Sequence, residues 1–317
     1  MLDNLIKIFA TADFYIAIIR MTTPLLLAAI GGLLAEKAGV VTFSMEGMML
    51  MGSVGGIIGS WLSGNVWFGI LLSVVIGMVI GLIYALFAVT VGTHQIVTSV
   101  ALNMGAVGLS SILFALVFMH GEENIQKLII VPGLTAWKLP LSNIPVVGEI
   151  FLNHLPLTYL AFLCVPLIWY ILYRTSWGLK IRAVGEHPLA AHSVGINVYR
   201  IRYLTLLATG ALSGLAGAFL SVGVMNSFQE NMTAGRGFIA YTSIVFGRWE
   251  PVGVLLGTTI FGATEALQFR IQTMGLGIPS QFLTAFPYVV TLLIIVLAGV
   301  KASWPASSGL PFKREGK

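Results

Sequence analysis

Gly178-Leu-Lys-Ile-Arg-Ala-Val-Gly-Glu-His-Pro-Leu-Ala-Ala-His-Ser-Val-Gly-Ile196 is the stretch on which the reading of this chain turns. It describes a short helix with marked ends. Pro188 suits a first helical position, where a missing N–H costs nothing. His187 or Glu186 stands at the entry, and Leu189, Ala190 and Ala191 favour helix. Gly195 suits a left-handed cap at the far end. A helix this short does not stand alone in water, so it must lean on something. One support is the membrane headgroup layer. The other is a groove on a cytoplasmic partner, which would receive it as a compact, rigid knob.

The residues around this loop say which solvent the chain lives in. Hydrophobic residues make up 57% of the 317 and charged residues only 9%, with a mean hydropathy of +0.94. An ordinary soluble domain is about a quarter charged, so this chain cannot cover a water-facing surface. The expectation is an all-α polytopic membrane protein, a single transmembrane domain over 1–317 with about 8–9 helices of roughly 20 residues each. The one cysteine, Cys164, lies in an apolar run and excludes an intrachain disulfide. Asp3 and Lys7 lead into an apolar segment without a small-residue cleavage site, which reads as a first span rather than a signal peptide.

Apolar runs long enough to span fall at about 14–34, 67–90, 95–119, 156–173, 203–224, 251–270 and 281–300. The stretch 45–62 is apolar but glycine-rich, and 237–247 is too short to cross alone, so both read as broken or re-entrant helices. Irregular backbone at membrane depth survives only where protein or a cavity surrounds it, which makes these two stretches the first pointer to a solute path. Loop charge sets orientation. The loop 174–202 carries Arg174, Lys180, Arg182, Arg200 and Arg202 against Glu186, and the C-terminal tail carries Lys301, Lys313, Arg314 and Lys317 against Glu315. Both are expected in the cytoplasm, with the 120–155 loop and the N-terminus outside. Glycines four apart (Gly52 and Gly56, Gly77 and Gly81, Gly210 and Gly214) point to close helix packing in lipid.

The loop string resembles the cytoplasmic coupling helix of permeases in the branched-chain amino acid, ribose and nucleoside branch of ABC importers. Ala190-Ala191 followed by Gly195-Ile196 resembles the Ala-Ala…Gly core common to ABC importer permeases, with His187 where the family usually has Asn. A second match opens with Thr23-Pro24-Leu25 and Gly31-Gly32, continues through Glu36-Lys37-Ala38-Gly39-Val40-Val41, and ends on Glu46-Gly47-Met48-Met49-Leu50. It resembles nucleoside and simple-sugar permeases that work with a basic-membrane-protein-type binding lipoprotein. Thr42-Phe43-Ser44-Met45 stands where that family more often reads Asn-Ile-Gly-Leu. The resemblance implies a bacterial inner-membrane permease forming half of a pore, with a second, related permease subunit as a heterodimer. It further implies two cytoplasmic ATPase subunits, which bind the ATP, and an external solute-binding lipoprotein. The coupling set it implies is Arg182, Glu186, His187, Pro188, Ala190, Ala191 and Gly195.

The candidate solute path comprises Phe43, Glu46, Met48, Asn103 and Phe238. Glu46 heads the glycine-rich segment, where an acid either favours a helix N-terminus or bonds a sugar hydroxyl. Asn103 offers donor and acceptor in mid-span, for a ribose or base edge or for a neighbouring helix. Phe43 and Phe238 flank the irregular segments, to stack on a nucleobase or to pack. Glu265 and Arg270 read as helix-end residues that snorkel, and His94 as lying near an interface.

No catalytic group, metal cluster or cofactor is expected in the chain itself. It has no Gly-x-x-x-x-Gly-Lys-Ser/Thr phosphate cradle, and five scattered histidines offer no metal-ligand spacing. The basic residues lie in loops without interleaved aromatics, which argues against nucleic acid. Alternatives to a nucleoside importer are a permease for ribose or another simple sugar, and an ion-coupled secondary transporter. The latter needs acids or coordinating carbonyls at mid-membrane, for which Glu46 alone qualifies.

Overall fold

The computed structural model describes residues 11–118, 131–138, 147–273 and 304–312, with the single positions 282, 285 and 289. Within them run α1 (Ala12–Lys37), α2 (Met45–Ser63), α3 (Val66–Ala85), α4 (Gln95–Phe118), α5 (Val147–Phe151), α6 (Pro156–Arg174), α7 (Ser176–Glu186), α8 (Pro188–Ser193), α9 (Val198–Ala218), α10 (Arg236–Phe246) and α11 (Pro251–Thr273). α3 and α9 continue into wider π-wound turns at Leu86–Val91 and Phe219–Met225. A two-residue antiparallel pairing joins β1 (Trp137–Lys138) to β2 (Asn153–His154). Among the described residues six helices, α1, α3, α4, α6, α9 and α11, are long and apolar enough to cross a membrane. The all-α membrane architecture anticipated from composition is therefore the one that forms. Apart from positions 282, 285 and 289 the expected span at 281–300 lies outside the described residues, as do the basic residues Lys301, Lys313, Arg314 and Lys317.

One expectation is corrected. The glycine-rich stretch 45–62 is not broken: Met45–Ser63 is one uninterrupted helix, buried along most of its length. Its glycines are the contact surface of a three-helix core formed with α3 and α9. A Cβ placed on Gly52 would lie 2.6 Å from the Cα of Gly214, and one on Gly59 would lie 2.8 Å from the Cα of Gly69. Such spacing lets backbones touch, which is how helices associate where lipid supplies no hydrophobic drive. The irregular backbone sits just before this helix, at 38–44. Valine at Gly214 would meet Ser73 and Gly77, its Cβ falling 3.0 Å from the Ser73 carbonyl carbon and 3.3 Å from Gly77 Cα. Gly214→Val is expected to cost about 3 kcal/mol through forced separation of α3 and α9, read as a lowered melting temperature of the purified protein in detergent.

Helix α4 shows the inverted pattern that lipid imposes. It buries Gln95, Ser99, Asn103 and Ser110 and exposes Val97, Val100, Met104 and Ile112. Polar groups have no water to bond in the bilayer core, so they must find protein.

Ser307 donates its backbone N–H to the Gly185 carbonyl at 3.0 Å, so residues 304–312 and the loop 174–202 share one face. Lys37, at the end of α1, pairs there with Glu250 at 3.9 Å. At about 1.5 Å per residue, α1 is long enough to place Ala12 at the opposite face. Ser60 marks that opposite face, donating to the Pro132 carbonyl at 3.0 Å. α10 has eleven residues, which at about 1.5 Å each cover half the hydrocarbon thickness. It is the short helix anticipated at 237–247, and its N-terminus begins inside the protein.

Candidate functional site

The chain leaves α1 at Lys37 and returns into the protein through an irregular segment with a turn at each end before α2 begins. Each bonded polar group of this segment is held by a side chain or a turn. The N–H groups of Gly39 and Val40 close turns onto the carbonyls of Glu36 and Ala35 at 2.9 and 3.0 Å. Val41 donates to Gln95 Oε1 at 2.8 Å, and its carbonyl accepts from the Tyr84 hydroxyl at 2.5 Å. Thr42 donates its N–H to Glu36 Oε1 at 2.9 Å. The carbonyl of Phe43 accepts from Asn103 Nδ2 at 2.9 Å, while Asn103 Oδ1 accepts from the Gly47 N–H at 2.9 Å. Gln95 and Asn103 lie eight residues apart on α4, about 12 Å along its axis. They grip the segment at two heights.

Glu46 follows in the first turn of α2 and is buried. Its Oε1 accepts from the Thr233 hydroxyl at 2.6 Å and the Gly235 N–H at 2.8 Å, and its Oε2 accepts from the Gly237 N–H at 2.6 Å. The carboxylate thus caps α10, a helix N-terminus that carries partial positive charge and unpaired donors. Gly237 permits the approach, because a Cβ there would lie 2.5 Å from Glu46 Cα. Beside the cap, Arg236 forms an ion pair with Glu265 of α11 and donates to the carbonyls of Met232 and Thr233 at 3.2 and 3.4 Å. Glu265 is therefore not the snorkelling span-end residue expected from its position. It neutralises Arg236, because a charge at membrane depth must be paired.

Three rings gather over this frame. Phe43 stacks on Tyr241 with centroids 4.1 Å apart and lies 6.4 Å from Phe238. Phe238 is 41% exposed and presents the accessible ring. Of the five expected path residues, Phe43, Glu46, Asn103 and Phe238 are thus brought together. Glu46 and Asn103 have their polar groups engaged by protein. Met48 is fully buried among Ala35, Tyr84 and Ala106, away from the rings. It stands two residues from Glu46, and positions two apart do not share a helix face. Tyr241, Arg236 and Glu265 complete the constellation; Glu265 was read from sequence only as a helix-end residue, and Tyr241 and Arg236 were missed, although Arg236 had a signal, a cation heading a short apolar run.

The loop carries the second constellation. Thr175 Oγ1 caps α7 by accepting from the Gly178 N–H at 3.2 Å. α8 begins at Pro188 behind His187 and ends with Gly195 at φ 86°, where the Ile196 N–H reaches the Ala191 carbonyl at 3.0 Å. Its outward surface is Leu189, 51% exposed, with Ala190, His187, Glu186, Gly195 and Val194, the last 75% exposed. Ala191, expected to face a partner, points inward with 4% exposure. Arg182 also turns in, its guanidinium 5.1 Å above the Tyr173 ring. Leu189 was read from sequence only as a helix former, and Val194 was not singled out.

The sequence family described as branched-chain amino acid transport system / permease component matches residues 14–299. The chain belongs to that family. This permease is 35% identical over 301 residues to a nucleoside ABC transporter permease protein of Lactococcus lactis, covering 92% of this chain and 93% of that protein. It is 33% identical over 299 residues to a guanosine ABC transporter permease protein of Bacillus subtilis, covering 91% and 92%. It is 32% identical over 308 residues to a putative glucose ABC transporter permease protein of Haloferax volcanii, covering 90% and 91%. The permease is a multi-pass membrane subunit of an ABC importer, a system that works with ATPase and binding-protein components.

Proposed function

We propose that this permease imports nucleosides. The carrying observation is its 35% and 33% identity, over nine-tenths of the chain, to the nucleoside and guanosine permeases. The exposed Phe238 ring, backed by the stacked Phe43 and Tyr241, supports it, since every nucleobase offers a face for aromatic stacking. In this reading the chain is one membrane domain over 1–317 in the bacterial inner membrane, takes no cofactor and hydrolyses nothing. The loop 174–202 and residues 304–312 face the cytoplasm. Two ATPase subunits seat the outward surface of α8, a related permease completes the pore along α4 as a heterodimer, and an external lipoprotein delivers solute.

Uptake of labelled guanosine by the transporter expressed with its neighbouring genes tests this, with uridine, ribose, glucose and leucine as competitors. Uridine is expected to compete and the others not. Uptake that survives mutation of the ATPase phosphate-binding lysine would refute the importer assignment in favour of ion coupling. The glucose permease relative supports a second reading, a simple-sugar substrate, which predicts competition by glucose or ribose instead. Phe238→Ala separates the two. Losing one base–aromatic contact, worth about 1–3 kcal/mol, is expected to raise the half-saturating guanosine concentration about tenfold or more at unchanged folded yield.

A further inference from the structure

Residues 304–312 form neither helix nor strand, yet they are fastened along their whole length. The Phe312 ring is buried, meeting His192 of α8 at 5.6 Å and Tyr199 of α9 at 5.5 Å, both edge-on. Its carbonyl accepts from the Tyr199 hydroxyl at 3.2 Å. The Leu310 carbonyl accepts from Arg202 Nη1 at 3.0 Å. Ser307 donates both its N–H and its hydroxyl to the Gly185 carbonyl, at 3.0 and 2.6 Å. Trp304 packs against Trp249 with centroids 5.2 Å apart.

These contacts join the knob to the membrane site without a gap. Trp249 donates its indole N–H to Glu36 Oε2 at 3.3 Å, and the other oxygen of that carboxylate holds the Thr42 N–H at 2.9 Å. Thr42 precedes Phe43, the ring stacked on Tyr241. A second route passes through Arg202, which is fully buried and has no carboxylate partner among the described residues. Its Nε donates to the Ala38 carbonyl at 3.2 Å, at the start of the irregular segment. A buried guanidinium is costly unless it is hydrogen-bonded, and here the carbonyls of Ala38 and Leu310 are its acceptors, with Nη2 left without one among the described residues. Lifting 304–312 away would strand that charge.

We propose that Trp304–Phe312 is a coupling strap, through which displacement of α8 reaches the 38–44 segment and the aromatic site, with Phe312 and Arg202 as its positioning residues. The proposal rests on the reading of α8 as the ATPase-docking knob. α8 has only six residues, and its shift must be carried by packed neighbours. Close-packed interiors move as discrete units rather than deforming continuously. The strap touches α7, α8, α9 and the mouth of the irregular segment together, so it moves them as one body.

The test reconstitutes the complete transporter, with its ATPase and binding-protein components, in liposomes and measures guanosine uptake and ATP hydrolysis in the same vesicles. Phe312→Ala is expected to lower guanosine imported per ATP by about tenfold while basal hydrolysis stays within about twofold, an ordinary coupling magnitude. Phe312→Tyr, which keeps the ring, should restore the ratio. Parallel loss of uptake and hydrolysis with the ratio intact would show a purely structural segment and overturn the proposal. Should Phe312→Ala not assemble, Arg202→Lys gives the same reading: it keeps the charge but loses the fork between Ala38 and Leu310, and an unchanged ratio there is equally fatal. Leu189→Glu is the control for the underlying reading. If it still binds the ATPase and transports, the docking assignment fails. If it does not, while Phe312→Ala keeps its ratio, the strap alone fails.

Discussion

Leu189→Glu is expected to abolish ATP-driven uptake while leaving the amount of folded permease unchanged. Leu189 is half exposed on the outward face of α8, beside Ala190 and close to Val194. A carboxylate there meets water in the isolated chain and costs the fold little. On docking it removes an apolar contact and drives an unpaired charge into an interface, a penalty of about 3–5 kcal/mol. At about 1.4 kcal/mol per tenfold, the ATPase should dissociate two or more orders of magnitude more readily. Copurification of the ATPase and uptake in the same cells read this directly, and wild-type levels of both would sink the docking surface. Ala191→Glu is expected to fail differently. Ala191 is buried at 4% exposure, and the Ile196 N–H bonds back to its carbonyl, so the longer acid should unseat α8 and lower the yield of folded protein.

The contrast between Leu189 and Ala191 shows what could be read from the sequence and what could not. The ends of α8 were legible because they are local chemistry: Pro188 tolerates the first turn and Gly195 the positive φ wherever the helix sits. Which side of the helix looks outward was not legible, because it depends on what α9 and residues 304–312 place beneath it. The same division holds in the membrane. Composition and span length announced the architecture, and glycine spacing announced close packing. But the glycines of α2 suggested a break, since nothing in one strand of sequence says that Gly214, far along the chain, will lie against Gly52.

Acid placement follows the same logic. Glu46 read as an acid favouring the N-terminus of its own helix, and it does stand in the first turn of α2, but the N–H groups it bonds lie at the start of α10. The partners Gly235 and Gly237 lie 189 and 191 residues away. Glu265 looked like a helix-end residue because Arg236, its partner, is remote in sequence. In lipid the apolar exterior hides which face is buried, so an isolated charged residue announces only that a partner exists.

The largest effect on the fold itself is expected at Glu46. Glu46→Ala leaves the Thr233 hydroxyl and the N–H groups of Gly235 and Gly237 without their acceptor. Glu46 is buried, and each stranded donor costs about 1–3 kcal/mol. Allowing for relaxation, a loss of about 4 kcal/mol is expected, in the range reserved for broken buried networks. The cavity adjoins Phe43 and α10, so uptake should fall with stability. Glu46→Gln keeps the shape but points an amide N–H₂ at a donor and removes the charge that complements the α10 dipole, for a loss of about 2 kcal/mol. Glu46→Asp is too short to reach all three donors and should fall between them. Melting of the purified permease in detergent, measured beside guanosine uptake, tests the series. A solute-binding Glu46 would give the opposite pattern in Glu46→Gln, a raised half-saturating concentration at unchanged melting temperature. The present geometry predicts that melting falls first, because both carboxylate oxygens are already committed to the end of α10.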